Sequence, residues 1–280
     1  MSMRLAVCAD DFGQGQAIDQ GILQLLHLGR LQAVSCLVNG PTWAANALAL
    51  AAAAMPVKAS IGLHFNLTQG APLSSALLAR YAKFPGLPAA LLNSHLRRLP
   101  LTAVAEELHA QLHAFSRVTG HAPQHIDGHQ HVHHLPGVRT LILAAAAATL
   151  PPAAVRRCAP ALGPGAGFKR WVIEASGGRA MARSMDTQAV RSNPALVGVY
   201  DFKAAPPYRQ HMQGWLARLT GLPKHPGQGA LLFCHPARVG AEPAADDTIG
   251  VARQREMAYL CSEDFATDLA AAGVTLGPVW

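Results

Sequence analysis

Asp127-Gly128-His129-Gln130-His131-Val132-His133-His134 puts four imidazoles and a carboxylate into eight residues. Two earlier stretches carry the same chemistry: Ala9-Asp10-Asp11-Phe12-Gly13 and Gly62-Leu63-His64-Phe65-Asn66. Carboxylate and imidazole are the side chains that together hold a catalytic divalent metal while leaving a position free for water. Asp11, His64 and His129 each lie more than fifty residues from the next. That spacing is too wide for a zinc finger and suits a site assembled from different strands of one sheet or barrel.

The segments around them read as alternating strands and helices. Arg4–Ala9 is a short apolar run ending at Asp10, and Ala17–Leu28 follows with Ile18, Ile22, Leu25 and Leu26 at helical spacing. Gly29 is a helix stop. Ala33–Val38 reads as a buried strand closed by Asn39-Gly40-Pro41, Trp43–Ala54 as a helix ended by Met55-Pro56, and Lys58–Leu63 as a third strand delivering His64. Strand–helix–strand order with short connections predicts parallel strands and an α/β architecture. From 68 to 100 the pattern loosens around Pro72, Pro85-Gly86 and Pro88, with Tyr81 and Phe84 expected at the surface. That stretch is expected to be a lid or substrate-contacting excursion. A helix over Thr102–Val118, capped by Thr102, the strand His125-Ile126-Asp127 and a helix over Val138–Thr149 follow. Residues 151–210 are loop-rich, with a helix expected around Thr187–Asn193. Ala230–Cys234 is a late buried strand ending at His235, and Glu256–Ala272 a closing helix. No repeat or composition shift divides the chain, so 1–280 is read as a single domain.

Half of the 280 residues are hydrophobic and 14% are charged, which supplies a sizeable core and argues against general disorder. The formal net charge is +7, but the basic residues are scattered. Arg97-Arg98 and Arg156-Arg157 are only pairs, read as solvated surface, and no recognition helix or stacking pattern points to nucleic acid. The five cysteines share no close pair, so a disulfide framework is not expected and a reducing, cytoplasmic compartment is. No signal peptide is expected, because Met1-Ser2-Met3-Arg4 runs directly into a strand and then a polar motif. The alanine-rich runs are far shorter than the roughly 20 residues of a membrane span, so no stable membrane insertion is expected.

Reactive residues in parallel α/β folds gather beyond the carboxyl ends of the strands. Asp10, Asp11, His64, His129 and His235 each follow an apolar strand-like run directly or within a few residues. The segments Ala9–Gly13, Gly62–Thr68, His125–His133 and Cys234-His235-Pro236, in that order, resemble the marker segments of the YdjC/ChbG family of carbohydrate deacetylases. The likeness runs from Leu5 to about Leu276 and is weakest between 150 and 225. It implies a single-domain distorted (β/α) TIM-like barrel related to the polysaccharide deacetylases. It also implies one divalent metal, Mg or Zn, held by Asp11, His64 and His129. Asp10 matches the catalytic base of that wider superfamily, and His235 the histidine that protonates the leaving amine. Gly128 departs from the serine common in the family, a change expected to remove a local hydrogen bond. The family, together with the apolar excursion, suggests a homodimer.

The chemistry of the residues agrees. A three-ligand metal leaves room for water and for a carbonyl oxygen, lowering the water's pKa and polarising an amide. Asp10 can take a proton, and a histidine titrating near neutrality suits protonation of a poor leaving amine. Asp127, His131, His133 and Asn66 are candidates for orienting a ligand imidazole or touching substrate. Trp43, Trp171, Trp215 and Tyr208 could stack on a sugar or belong to the core. The expected reaction is removal of acetyl from an N-acetylated amino sugar or short oligosaccharide, a lipid-linked amino sugar included. One alternative is another metal-dependent hydrolase, of a phosphoester or cyclic amide. Those often carry a His-x-His pair at the first strand, where this chain has Asp-Asp. A second is a non-enzymatic metal- or sugar-binding protein, which would need neither Asp10 nor His235.

Overall fold

β1 (Met3–Phe12) is buried at every residue but Arg4. A strand covered on both faces sits inside a parallel sheet with helices outside it and a second packed layer within. The computed structural model, which describes residues 3–164, 167–221 and 229–280, has that architecture. Along the first half run α1 (Gln16–His27), β2 (Ala33–Cys36), α2 (Trp43–Val57), β3 (Ser60–Phe65), α3 (Ser75–Leu78), α4 (Leu87–His95), α5 (Leu101–Thr119) and β4 (His125–Gly128). A tight 3-10 segment, His129–His134, leads into α6 (Val138–Ala148) and β5 (Ala154–Val155). The second half holds α7 (Gly167–Ile173), α8 (Arg179–Thr187), β6 (Leu196–Val197), α9 (Tyr208–Thr220), β7 (Gly229–Cys234), α10 (Gly250–Cys261), α11 (Glu263–Ala272) and β8 (Val274–Leu276).

The strands pair in parallel in the order β5-β4-β3-β2-β1-β7-β6, with β8 added to the start of β1. Alternation along β1 decides what lies on each side of this curled sheet. Leu5, Val7 and Ala9 belong to the large apolar layer under the helices, joined by Ile18, Ile22, Leu25 and Leu26 of α1. Burying each such branched side chain is worth roughly 1.5–3 kcal/mol. Ala6 and Cys8 face the interior, a smaller cluster with Ala33, Leu231 and Phe233 against which Val279 and Trp280 pack. The sheet curls far enough to bring β5 and β6 together as a distorted barrel. At that seam Val155 donates its amide to the Arg191 carbonyl, and Ala161 forms a single bridge to Leu196. Between them the buried Asn193 amide stands in for a strand: Oδ1 accepts from the Arg157 amide at 2.8 Å, and Nδ2 donates to the carbonyls of Arg157 and Ala195, both at 2.9 Å.

Several sequence expectations shift. The helix expected around Thr187–Asn193 ends at Thr187, because Asn193 spends its amide on the barrel seam instead. The closing helix is two helices, α10 and α11, broken at Ser262, whose backbone is extended. Thr102 does not cap α5; Pro100 occupies that position and Leu101 begins the helix. Pro56 lies inside α2, which runs on to Val57 before Lys58 turns it in a left-handed conformation. Phe84 is buried rather than exposed, and the 68–100 excursion contains α3 and α4. Arg156 is fully buried, not solvated surface. Trp43, Trp215 and Tyr208 are core residues, whereas Trp171 is exposed. No helix among the described residues is long and apolar enough to cross a membrane.

Candidate active site

Consecutive residues of a regular strand point to opposite faces, yet Asp10 and Asp11 line the same cleft. The reason is a β-bulge. The β1–β2 register advances from Ala9↔Val34 to Phe12↔Cys36, three residues on one strand against two on the other, and Asp11 adopts φ 72°. Aspartate is among the few residues that tolerate this left-handed conformation. The bulge thus converts an Asp-Asp dipeptide into a pair of convergent carboxylates.

Opposite them stand His64, within β3, and His129, just past β4. Asp11 Oδ1 lies 2.9 Å from His129 Nδ1 and 3.5 Å from His64 Nε2. Each of the three residues offers one ligand atom within 4.8 Å of the others, and all are buried. His64 donates from Nδ1 to Asp127 Oδ1 at 2.6 Å, so that Nε2 is left to face Asp11. Burial disfavours a charged His64, but Asp127 and Asp10 outweigh it and push the imidazole up to about 10. Burial also opposes the Asp11 carboxylate, yet Arg253 and His129 hold it well below the usual carboxylate range. Both shifts show that positive charge is favoured between these side chains.

Two buried guanidiniums frame the carboxylates. Arg156 grips Asp10 with both terminal nitrogens, Nη1 to Oδ2 at 2.7 Å and Nη2 to Oδ1 at 2.6 Å. It also reaches Asp127 Oδ2 at 2.5 Å. Arg253 on α10 binds Asp11 Oδ2 at 2.8 Å and Asp247 Oδ2 at 2.9 Å. The ion-paired set therefore holds four carboxylates (Asp10, Asp11, Asp127, Asp247) against two guanidiniums, a deficit of two positive charges once His64 gives up its proton to act as a ligand. A divalent cation among Asp11, His64 and His129 would balance it. His129 Nε2, buried with no hydrogen-bond partner among the described residues, is a further unspent donor atom there. The residues present fit a divalent metal.

His235 follows β7. Its amide donates to Glu256 Oε2 at 2.6 Å, and its ring lies between Phe202 and Phe233, each with a centroid separation of 5.5 Å. Tyr200 donates to Glu256 Oε1 at 2.5 Å. Glu256 thus fixes the backbone that carries the imidazole. The cleft, about 570 Å³, is lined by Asp10, Asp11, His64, His129, His131 and His235, by Leu87 and Leu91 of α4, and by Lys169 of α7. Lys169 donates to the Tyr200 carbonyl at 2.9 Å and sits 3.9 Å over the Phe202 ring. Burial draws its amine down to about 8.

Of the remaining sequence candidates, Asp127 contacts His64 directly. His133 approaches the Arg156 carbonyl at 3.1 Å, and both His131 and His133 approach Cys158 Sγ. Asn66 turns its side chain on the loop after β3, accepting from the amides of Thr68 and Gln69. At Gly128 space is short. A Cβ there would lie 2.7 Å from the His133 amide nitrogen and 2.9 Å from its Nδ1, so His133 fills the position a serine would take. Sequence reading missed Arg156, Arg253, Glu256, Tyr200 and Lys169. For one pair a signal existed: Arg253 and Glu256 are three residues apart on one helical face, and both are buried.

A human carbohydrate deacetylase is 35% identical over 228 residues, covering 79% of this chain and 63% of its own. A chitooligosaccharide deacetylase from Klebsiella pneumoniae is 35% identical over 143 residues, 48% of this chain and 51% of its own. The chain thus spans less than two thirds of the length of these relatives. A crystal structure from Enterococcus faecalis V583, of a candidate cellobiose-phosphate cleavage protein, superposes with a TM-score of 0.74 at 21% identity, covering 100% of this chain and 98% of the other, which establishes a shared fold. The family model described as YdjC-like protein matches residues 4–271, and the chain belongs to that family.

Proposed function

We propose that this protein hydrolyses the acetamide of an N-acetylated amino sugar or short oligosaccharide, releasing acetate and a free amine. The observation that carries the reading is the convergence in one cleft of Asp11, His64 and His129 with Asp10 on one side and His235 from another strand end. The names of the relatives point to the same substrate class. A divalent ion held by Asp11, His64 and His129 would supply Lewis acidity, activating water and polarising the acetyl carbonyl. Asp10 takes the water's proton. Its bidentate pairing with Arg156 fixes its oxygens and so orients the base. His235 delivers a proton to the departing amine, from a ring pinned between Phe202 and Phe233. Asp127 holds the tautomer of His64, and Arg253 holds Asp11. Leu87 and Leu91 of the 68–100 excursion form part of the cleft wall against which the sugar would lie.

The test is acetate release from diacetylchitobiose and a panel of N-acetylated sugars, with and without chelator. Release that chelator abolishes and a divalent ion restores supports the reading. A stoichiometrically bound metal with no release from any acetylated sugar would move the substrate to another hydrolase class.

A further inference from the structure

Beside the proposed catalytic residues, the donor atoms of His133, His134 and Cys158 converge, and His131 reaches the same sulfur. Cys158 Sγ lies 3.6 Å from His131 Nδ1 and 3.6 Å from His133 Nε2. His133, His134 and Cys158, all buried, each offer a ligand atom within 4.8 Å of the other two. In a tetrahedral zinc site, bonds of about 2.3 Å to sulfur and about 2.0–2.1 Å to nitrogen put those donors about 3.5 Å apart. The sulfur–nitrogen distances here match that edge. Nδ1 of His133 and Nδ1 of His134 are buried with no hydrogen-bond partner among the described residues. The hydrogen bonds these side chains do make go to each other, to the Arg156 carbonyl and to Ser176, not to Asp11, His64 or His129. His131 and His134 line the cleft, which gives an ion a way in.

We propose that His133, His134 and Cys158, with His131 as a fourth donor, form a second metal site for a thiophilic divalent ion such as Zn²⁺. Loading exchanges a proton for the ion: the Cys158 S–H bond breaks, an S–Zn bond forms, and the proton leaves to solvent. Burial pushes the Cys158 thiol up to about 12, so loading requires the ion itself to displace that proton. His133 Nε2 gives up its contact with the Arg156 carbonyl to bind, its proton passing to the unpartnered Nδ1 so that the ring stays neutral as the other tautomer. The adjacent Arg156 guanidinium does not repel the ion as a bare charge would, because Asp10 and Asp127 already neutralise it. Thiolate and imidazole donors favour zinc or cobalt, while the carboxylate-containing set at Asp11 also accepts magnesium, so the two sites differ in preference. The inference stands whether or not the chain is a deacetylase.

Metal-free protein titrated with Co²⁺ gives the test, read by bound equivalents and by the near-ultraviolet thiolate-to-cobalt absorption. Two equivalents are expected, one bringing the thiolate band, whereas Mg²⁺ should fill only one. Cys158→Ser should lose the band and one equivalent. His129→Ala should lose the other equivalent and keep the band. Should Cys158→Ser lose both through misfolding, His134→Gln provides the second variant, with the same single loss expected. Saturation at one equivalent without a thiolate band, or a band that survives in folded Cys158→Ser, overturns the proposal.

Discussion

Between β1 and β4 the sheet is held by ladders of three or four residue pairs, while β5 and β6 contribute two residues each and meet through a side-chain amide. The regular half carries Asp10, Asp11, His64, Asp127 and His129, the side chains that accept protons or offer lone pairs. The irregular half and the chain that follows it carry Arg156, Lys169 and Tyr200, which set charge and orientation. Donor atoms need fixed spacing, and ladders give it. Long cationic side chains reach across the barrel from a loop, so their half can be irregular provided their own backbone is anchored. The division teaches that regular ladders are concentrated where the candidate ligands sit, and that the remote half acts through reach.

The largest break in this arrangement is Arg156→Met. It leaves buried Asp10 and Asp127 with His64 as their one remaining cationic neighbour among the described residues, and removing one partner of a buried pair costs about 3–5 kcal/mol. Urea denaturation should show that loss. The double variant Arg156→Met/Asp10→Asn should recover part of it, which a purely steric effect of methionine would not allow. Next is Asp10→Asn, which removes the proton acceptor and leaves the Asp11–His64–His129 set untouched. A general base contributes typically 10²–10⁴-fold. The expected result is a kcat reduced by about that factor, with metal stoichiometry by elemental analysis unchanged. Loss of the metal along with the activity would show that Asp10 is a ligand and not a base.

The polar interior of the regular half predicts a pH signature. His125 is fully buried between Ser60 and Ser35, with ring contacts at 2.8 and 3.0 Å, and Gly62 makes room for it: a Cβ there would come within 2.3 Å of the ring. Burial outweighs the attraction of Asp127 and pushes His125 down to about 4, and His133 likewise to about 4. Between the ordinary histidine value near 6.5 and 4, the unfolded chain binds protons that the folded chain refuses. The contribution of these two groups is therefore full above about pH 6.5 and falls as pH drops toward 4, by about 1.4 kcal/mol per pH unit for each group. Denaturant midpoints at pH 7 and pH 5 should differ accordingly, and His125→Asn should flatten the slope. An equal slope in the variant would remove His125 from the account.

The legible parts of the molecule follow the same division. The strand ends at Asp10, His64 and His129 are visible in sequence because short apolar runs stop at residues with metal chemistry, and ladders keep that order in space. Arg156 is not visible, because an arginine after a two-residue strand beside Arg157 has the pattern of a solvated pair; only the barrel's curvature turns it inward toward Asp10. The bulge that aligns Asp10 with Asp11 is equally hidden, since it depends on register with β2. The helix misplaced around Thr187–Asn193 fails for a related reason: local propensity there is overruled by the tertiary use of one amide.

That amide supplies the finest test of the comparison. Asn193→Ala strips the Arg157 amide and carbonyl of their side-chain partners at the seam, and leaving buried polar groups unpaired costs about 1–3 kcal/mol. Arg156 is the adjacent residue, so its grip on Asp10 should loosen even though Asn193 touches neither. The expected variant melts earlier and has a lower kcat, yet binds metal at the Asp11–His64–His129 set with unchanged stoichiometry, because those ladders lie elsewhere in the barrel. Aspartate at 193 keeps an acceptor for the Arg157 amide but loses the donor, so Asn193→Asp should fall between wild type and alanine in both readouts. Equal loss of metal and of turnover in Asn193→Ala would mean that the halves are not separable, and that the seam fixes the whole site.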